Sequence, residues 1–320
     1  MTGIFKQQKP KKQNIIHSLS GKTQKHRILP YMALVFLIAC VYAFSWVGNT
    51  WHDNKKAKEL LKTPDLYKVD KRVLEKPTIA PNKKTTNNFK IKIPIIMFHY
   101  VEYVKDVNDK TRKSLNINPD VFETQLKMLQ SNNFTTYYVK DMPAILNESL
   151  LVEASKSAVL TFDDGYEDFY TEAFPLLKKY DMKATLYVIN DLIGTKGYVT
   201  LKQLKEIVES KYVEIGAHTL DHAYLKGMSK QSATRQIQQS KQGLEKLLGI
   251  DVKTFAYPFG AFDEQAIELV KQASFSAAVS VIPGNVHTKN ELFYLYRIRA
   301  GSFLGPHMLK NVEKNFGDEK

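Results

Sequence analysis

Two carboxylates stand side by side at Asp163 and Asp164, in the stretch LTFDDGYEDF over residues 160–169, where a short apolar run stops. Such a run reads as a buried strand, so both acids fall at its C-terminal end, where parallel α/β folds assemble their sites. Successive side chains on extended backbone point in different directions, so one carboxylate can hold a metal while its neighbour faces a substrate. An aspartate here could equally cap the following helix, a task that needs only one of the two. A second apolar run, in VEIGAHTLDH, leads into His218 and His222, spaced so that one helical turn or a tight loop could bring both imidazoles to one ion. Asp164, His218 and His222 would supply three protein ligands and leave a position open for water, as catalytic sites do and closed structural sites do not. The only cysteine, Cys40, lies far upstream, so no thiolate site or disulfide framework is available and any metal must be held by His and carboxylates.

The elements that must position these groups alternate along the chain. IKIPIIMFHYV, SAVLTF, ATLYVI, VEIGAH, KTFAYPFG, FSAAVSVI and LFYLYRIRAG read as strands; FETQLKMLQSNN, EAFPLLKKY, LKQLKEIVES, QSATRQIQQSKQGLEKLLG and EQAIELVKQA read as helices. That order predicts parallel strands joined by crossover helices, in a barrel or an open sheet, and more than six strands with chemistry at their ends favours the barrel.

The charge is divided unevenly. Residues 1–92 hold 19 Lys/Arg against 5 Asp/Glu, whereas residues 93–320 hold 27 against 28. A nucleic-acid binder would carry its positive charge on the folded part, which here is close to neutral, so nucleic acid is excluded as a partner. The stretch Ile28–Gly48 is 21 residues without a charge, long enough for one membrane span. Seven Lys/Arg and no acid precede it, which predicts a cytoplasmic N-terminus and export of the rest. The expected organisation is a basic cytoplasmic tail over 1–27, a transmembrane signal-anchor over 28–48, a basic extracellular stalk over 49–90, and a catalytic domain over 91–320 at the cell membrane. Cleavage of the apolar segment as a signal peptide, or lipidation at Cys40 in LIAC, are the alternatives; either would leave a secreted or lipid-anchored domain.

TFDDG, HTLDH and YPFG, in this order and each at a strand end, resemble the first three motifs of the polysaccharide deacetylase, or NodB-homology, family of carbohydrate esterases. The resemblance spans about residues 91–303. It implies a distorted (β/α) barrel, a divalent metal and hydrolysis of N-acetyl groups on glucosamine-containing polymers. Carried onto this chain it makes Asp164, His218 and His222 the metal ligands and Asp163 the general base that takes a proton from the attacking water. The backbone N–H of Phe259 becomes the oxyanion donor, with Pro258 fixing its turn, and Tyr166 and Phe259 become sugar-contacting residues. Zinc suits the ligand set first, and cobalt, nickel or manganese would also fit.

Two departures from the family pattern are informative. Ala256 stands where many members carry an arginine, so Asp163 must be oriented from elsewhere, with Arg297 or Arg299 in YRIRAG as candidates. No Leu-x-His motif supplies an acid late in the chain, and His307 sits in a Gly-Pro context. His99, ending the first strand of the domain, would stand at the same barrel mouth and serve as general acid. An acid histidine that comes first resembles the poly-β-1,6-N-acetylglucosamine deacetylases of biofilm matrix synthesis, which also tend to lack that arginine. The implied substrate is then an N-acetylglucosamine polymer, and the chain is expected to be monomeric. Peptidoglycan or another acetylated glycan, and a non-catalytic carbohydrate-binding relative, are the alternatives.

Overall fold

A computed structural model describes residues 89–106 and 108–299. The basic tail, the apolar segment 28–48 with Cys40, the stalk up to residue 88 and the stretch 300–320 with His307 lie outside the described residues. Among the described residues no helix is long and apolar enough to cross a membrane.

Eight strands form the central sheet: β1 (Ile95–Phe98), β2 (Thr135–Tyr137), β3 (Ser157–Phe162), β4 (Ala184–Val188), β5 (Val213–Ala217), β6 (Thr254–Ala256), β7 (Ala277–Pro283) and β8 (Leu295–Arg299). Seven of them close a barrel in the order β1, β8, β7, β6, β5, β4, β3 and back to β1, every pair parallel. Parallel neighbours need long return connections, and helices supply several of them: α1 (Pro119–Ser131), α2 (Phe174–Lys179), α3 (Leu201–Ser210), α4 (Lys230–Leu248) and α5 (Glu264–Gln272). Three of these starts are written in the sequence, since the side chains of Thr200, Ser229 and Asp263 each accept from a backbone N–H in the first turn of α3, α4 and α5.

The distortion of the barrel lies at β2, a strand the apolar pattern does not announce. It pairs with the first half of β3, from Thr135 opposite Ser157 to Tyr137 opposite Val159, whereas β4 pairs only with the second half. Side chains tie β2 and the turn after it to β4: Lys183 N donates to Thr136 Oγ1 and Val139 N to Thr185 Oγ1. Two expected boundaries also shift. The strand expected across KTFAYPFG stops at Ala256, because Pro258–Gly260 turns as one 3₁₀ step, and EAFPLLKKY divides into a π-turn over Phe169–Ala173 followed by α2.

Strand parity sorts the core into two clusters. Ala158, Leu160 and Phe162 of β3 pack outward against helices with Ile96 and Phe98 of β1, while Ile95, Val159, Tyr187, Ala256, Ala277, Val279 and Leu295 share an interior cluster with Val139, Met142, Ile145 and Leu146. With a side-chain period of two, the interior column of β1 continues to His99, that of β3 to Thr161 and Asp163, that of β5 to His218, and that of β8 to Arg297.

Candidate active site

Asp163 follows the last residue of β3, and its N–H donates to Phe98 O of β1 at 3.0 Å, which ties the two strands at the mouth. Its carboxylate receives both arms of Arg297, Nη1 to Oδ1 and Nη2 to Oδ2, each at 2.7 Å. Arg297 is held in turn by Nε to Ser280 O at 2.7 Å and Nη1 to Thr161 Oγ1 at 3.1 Å, so its plane is fixed from three sides. Burial pushes the Asp163 carboxyl up, but the charge and forked hydrogen bonds of Arg297 outweigh it and hold the group below the usual carboxylate range. The Nε2 of His99 stands 4.0 Å from Asp163 Oδ2, with the imidazole 16% exposed. Burial pushes His99 down in pKa against the pull of Asp163 and Asp164.

Asp164 turns away from its neighbour because its backbone is left-handed, φ 75°, and Gly165 continues the turn at 76°. This sends its carboxylate toward the loop after β5, where Thr219 and His222 are also left-handed, at φ 64° each. Backbone of this kind costs a non-glycine residue about 1–2 kcal/mol, so the surroundings must over-determine it. They do so through Ala223 N donating to Thr219 Oγ1 at 2.9 Å, and through Gln236 of α4, which accepts from Leu220 N at 3.0 Å and donates to Asp221 Oδ1 at 2.9 Å. His218 and His222 thus converge through a tight loop and not through a helical turn.

Asp164 Oδ1 lies 3.3 Å from the Nε2 of His218 and 3.3 Å from the Nε2 of His222. His218 Nδ1 faces Ala256 O at 2.8 Å, so Nδ1 carries the proton and Nε2 presents a lone pair. Burial pushes His222 down to about 4, which keeps that ring neutral near pH 7. Asp164 Oδ1 is buried without a hydrogen-bond donor. Two imidazole nitrogens and a carboxylate oxygen directed at one another within 4.8 Å are a donor set that one cation would satisfy, so the residues fit a divalent metal.

Phe259 is 54% exposed at φ 58°, and its ring centroid lies 4.3 Å from that of His222, with Pro258 buried beneath the turn. Tyr166 stacks on Tyr100 at 3.8 Å. Of the two arginines offered for Asp163, the structure brings Arg297 to it, one interior layer below Arg299. Sequence reasoning missed Thr161 and Ser280, which hold Arg297, and Tyr187, whose ring centroid lies 6.4 Å from that of His218. The one legible trace of Tyr187 is Gly216 on the next strand: a Cβ there would meet the Tyr187 ring at 2.4 Å.

Residues 152–278 match the model of the polysaccharide deacetylase family. The polysaccharide-deacetylase homologue YxkH of Bacillus subtilis (strain 168) is 29% identical over 222 residues, 68% of this chain and 76% of that protein. The poly-β-1,6-N-acetyl-D-glucosamine N-deacetylase of Staphylococcus aureus (strain MSSA476) is 24% identical over 216 residues, 63% of this chain and 74% of that one. Among solved structures, the deacetylase PplD of Streptococcus pyogenes, in complex with acetate, superposes with a TM-score of 0.64 at 30% identity, covering 70% of this chain and 99% of that chain. A closed parallel barrel with paired aspartates and two histidines at its mouth, joined to these likenesses, makes the chain a member of the polysaccharide deacetylase family, hydrolases that act on amide bonds.

Proposed function

We propose that this chain removes N-acetyl groups from poly-β-1,6-N-acetylglucosamine at the cell surface. The observation that carries the chemistry is the pairing of a deprotonated, Arg297-gripped Asp163 with an adjacent Asp164, His218 and His222 group fit for a cation. A divalent ion held by that group, zinc in the first place, supplies Lewis acidity toward the acetamide oxygen and lowers the pKa of a water. Asp163 takes the proton of the attacking water, and the Phe259 N–H donates to the carbonyl oxygen as negative charge grows on it. His99, on receiving the water's proton from Asp163 4.0 Å away, delivers it to the departing nitrogen; the C–N bond breaks, leaving acetate and a free amine on the polymer. The substrate reading rests on two supports: the Staphylococcus aureus relative named for that activity, and the acid histidine that precedes the aspartates in the chain. In this reading residues 28–48 anchor a single chain in the membrane with the barrel outside.

The test is acetate release from poly-β-1,6-N-acetylglucosamine and from peptidoglycan by the purified full chain. Release from the first, lost with a chelator and restored by zinc, is expected, and Asp163→Asn should lower it by about 10²–10⁴-fold. Preferred release from peptidoglycan would overturn the substrate, and full activity in Asp163→Asn would overturn the mechanism.

A further inference from the structure

Four side chains next to the site form a stack that the mechanism above does not use. The Arg112 guanidinium lies 4.4 Å over the Tyr100 ring, Tyr100 stacks on Tyr166 at 3.8 Å and 21°, and Tyr166 meets Tyr198 at 5.1 Å and 34°. The stack is built on the catalytic loops themselves. Tyr100 follows His99, Tyr166 lies two residues after Asp164, and Tyr198 arrives from the loop after β4, bridged to Tyr166 backbone to backbone. Val199 N donates to Gly165 O at 3.0 Å and Glu167 N to Gly197 O at 2.9 Å, which fixes that loop against the aspartate turn. At the other end the Arg112 guanidinium is paired with Glu102 and Asp109, so its charge is spent and its plane held.

Coverage differs along the stack. Tyr100 has Arg112 on one side and Tyr166 on the other, and Tyr166 lies between Tyr100 and Tyr198. Tyr198, among the described residues, has Tyr166 as its one ring partner and is half-buried. It is therefore the terminal ring of a rigid aromatic wall. The wall stands close to Asp164, since Tyr166 lies two residues after it and the Tyr198 backbone is bridged to that of Tyr166. A terminal aromatic face at the end of such a stack suits the apolar C–H face of a pyranose.

We infer that Tyr198 determines specificity, taking the face of a sugar unit next to the one being deacetylated, so that the site prefers a β-linked polymer to a single amino sugar. The inference rests on the function proposed above. A purely structural Tyr198 would brace the loop after β4 and affect every substrate alike.

The two are separated with the full-length, metal-loaded chain by measuring kcat and KM for β-1,6-linked N-acetylglucosamine oligomers of increasing length and for a small aryl acetate. Tyr198→Ala should raise KM for the longer oligomers by about three- to tenfold with kcat unchanged, and leave aryl acetate hydrolysis as it was. Tyr198→Phe, which keeps the ring, should match the wild type. If Tyr198→Ala loses its fold, Tyr198→Leu keeps the bulk without the aromatic face and must show the same selective rise. An equal loss on all substrates, or an unchanged oligomer KM, overturns the inference. Should the wild type release no acetate from any oligomer, the proposed function fails, and calorimetric titration with the longest oligomer decides Tyr198 separately: undetectable binding, or equal binding by Tyr198→Ala, overturns it.

Discussion

Arg297 and Asp163 meet as a two-pronged ion pair in which both residues are buried, 1% and 3% exposed, and every arm of the guanidinium has an acceptor. A buried carboxylate whose partner is removed keeps the cost of leaving water without the compensation. Arg297→Ala should therefore cost about 3–5 kcal/mol in urea unfolding, and part of that should return in Arg297→Ala/Asp163→Asn, which has no charge to strand. Arg297→Lys keeps the charge but not the fork, so it should fold and lose activity by about 10- to 100-fold. Wild-type acetate release by Arg297→Lys would show that the bidentate geometry is not needed.

Tyr187 and Gly216 meet close to His218. A methyl group at Gly216 would lie 2.4 Å from the tyrosine ring and 2.9 Å from Thr254 Oγ1, and His218 sits two residues further on, just past the end of β5. Gly216→Ala should cost about 1–3 kcal/mol by overpacking and reduce activity through His218. Tyr187→Leu in the same chain should recover much of the lost thermal midpoint. No recovery in the double variant would show that Tyr187 is not the obstacle.

How far the chain could be read in advance follows from where the information lies. Asp163, Asp164, His218 and His222 were legible because short apolar runs end beside them, and strand ends are where a parallel barrel gathers its chemistry. Arg297 was legible only as one of two arginines of the same parity. Choosing between them needs the level of β8 against β7, set by the irregular register between Val279 and Pro283. Strand β2 escaped because TTY is short and polar and is held largely by partners far away in sequence. Tyr198 escaped because, in a loop between Gly197 and Val199, nothing local marks a ring whose partner, Tyr166, arrives from the turn after β3.

Glu214 makes stability depend on pH. On β5 it is 6% exposed and accepts from Lys140 N, Thr185 Oγ1 and Thr254 Oγ1, yet burial outweighs these donors and raises its carboxyl from 4.5 to about 7. Between those values the folded state binds a proton that the unfolded state does not. Stability is then greatest below about pH 4.5, falls as pH rises, and levels off above about 7 as far as this group is concerned. Glu214→Gln should remove that contribution, with its amide nitrogen facing the Thr254 hydroxyl, and flatten the decline of thermal midpoint between these limits. An identical pH profile in the variant would mean that Glu214 is ionised throughout.

His99 tests the order of proton transfers. Its Nε2 is 4.0 Å from Asp163 Oδ2 and makes no contact needed to assemble the Asp164 group. His99→Ala should lower kcat by about 10²–10⁴-fold with metal content, thermal midpoint and KM close to wild type. A fall of less than about threefold at intact folding would remove the general-acid role and require another donor for the departing amine.

The metal group makes a prediction readable without substrate. Asp164 Oδ1 has two imidazole nitrogens at 3.3 Å, so a bound cation would satisfy three donors that the fold already brings together. The purified chain should take up about one equivalent of zinc, and zinc should raise its thermal midpoint by mass action on the folded state. Asp164→Asn replaces the anionic ligand with an amide whose N–H can donate to a histidine lone pair. Without metal this variant should be as stable as the wild type or more so, while its zinc-dependent gain disappears. Metal-free wild type outlasting metal-free Asp164→Asn would show that a proton, not a cation, holds the three donors together.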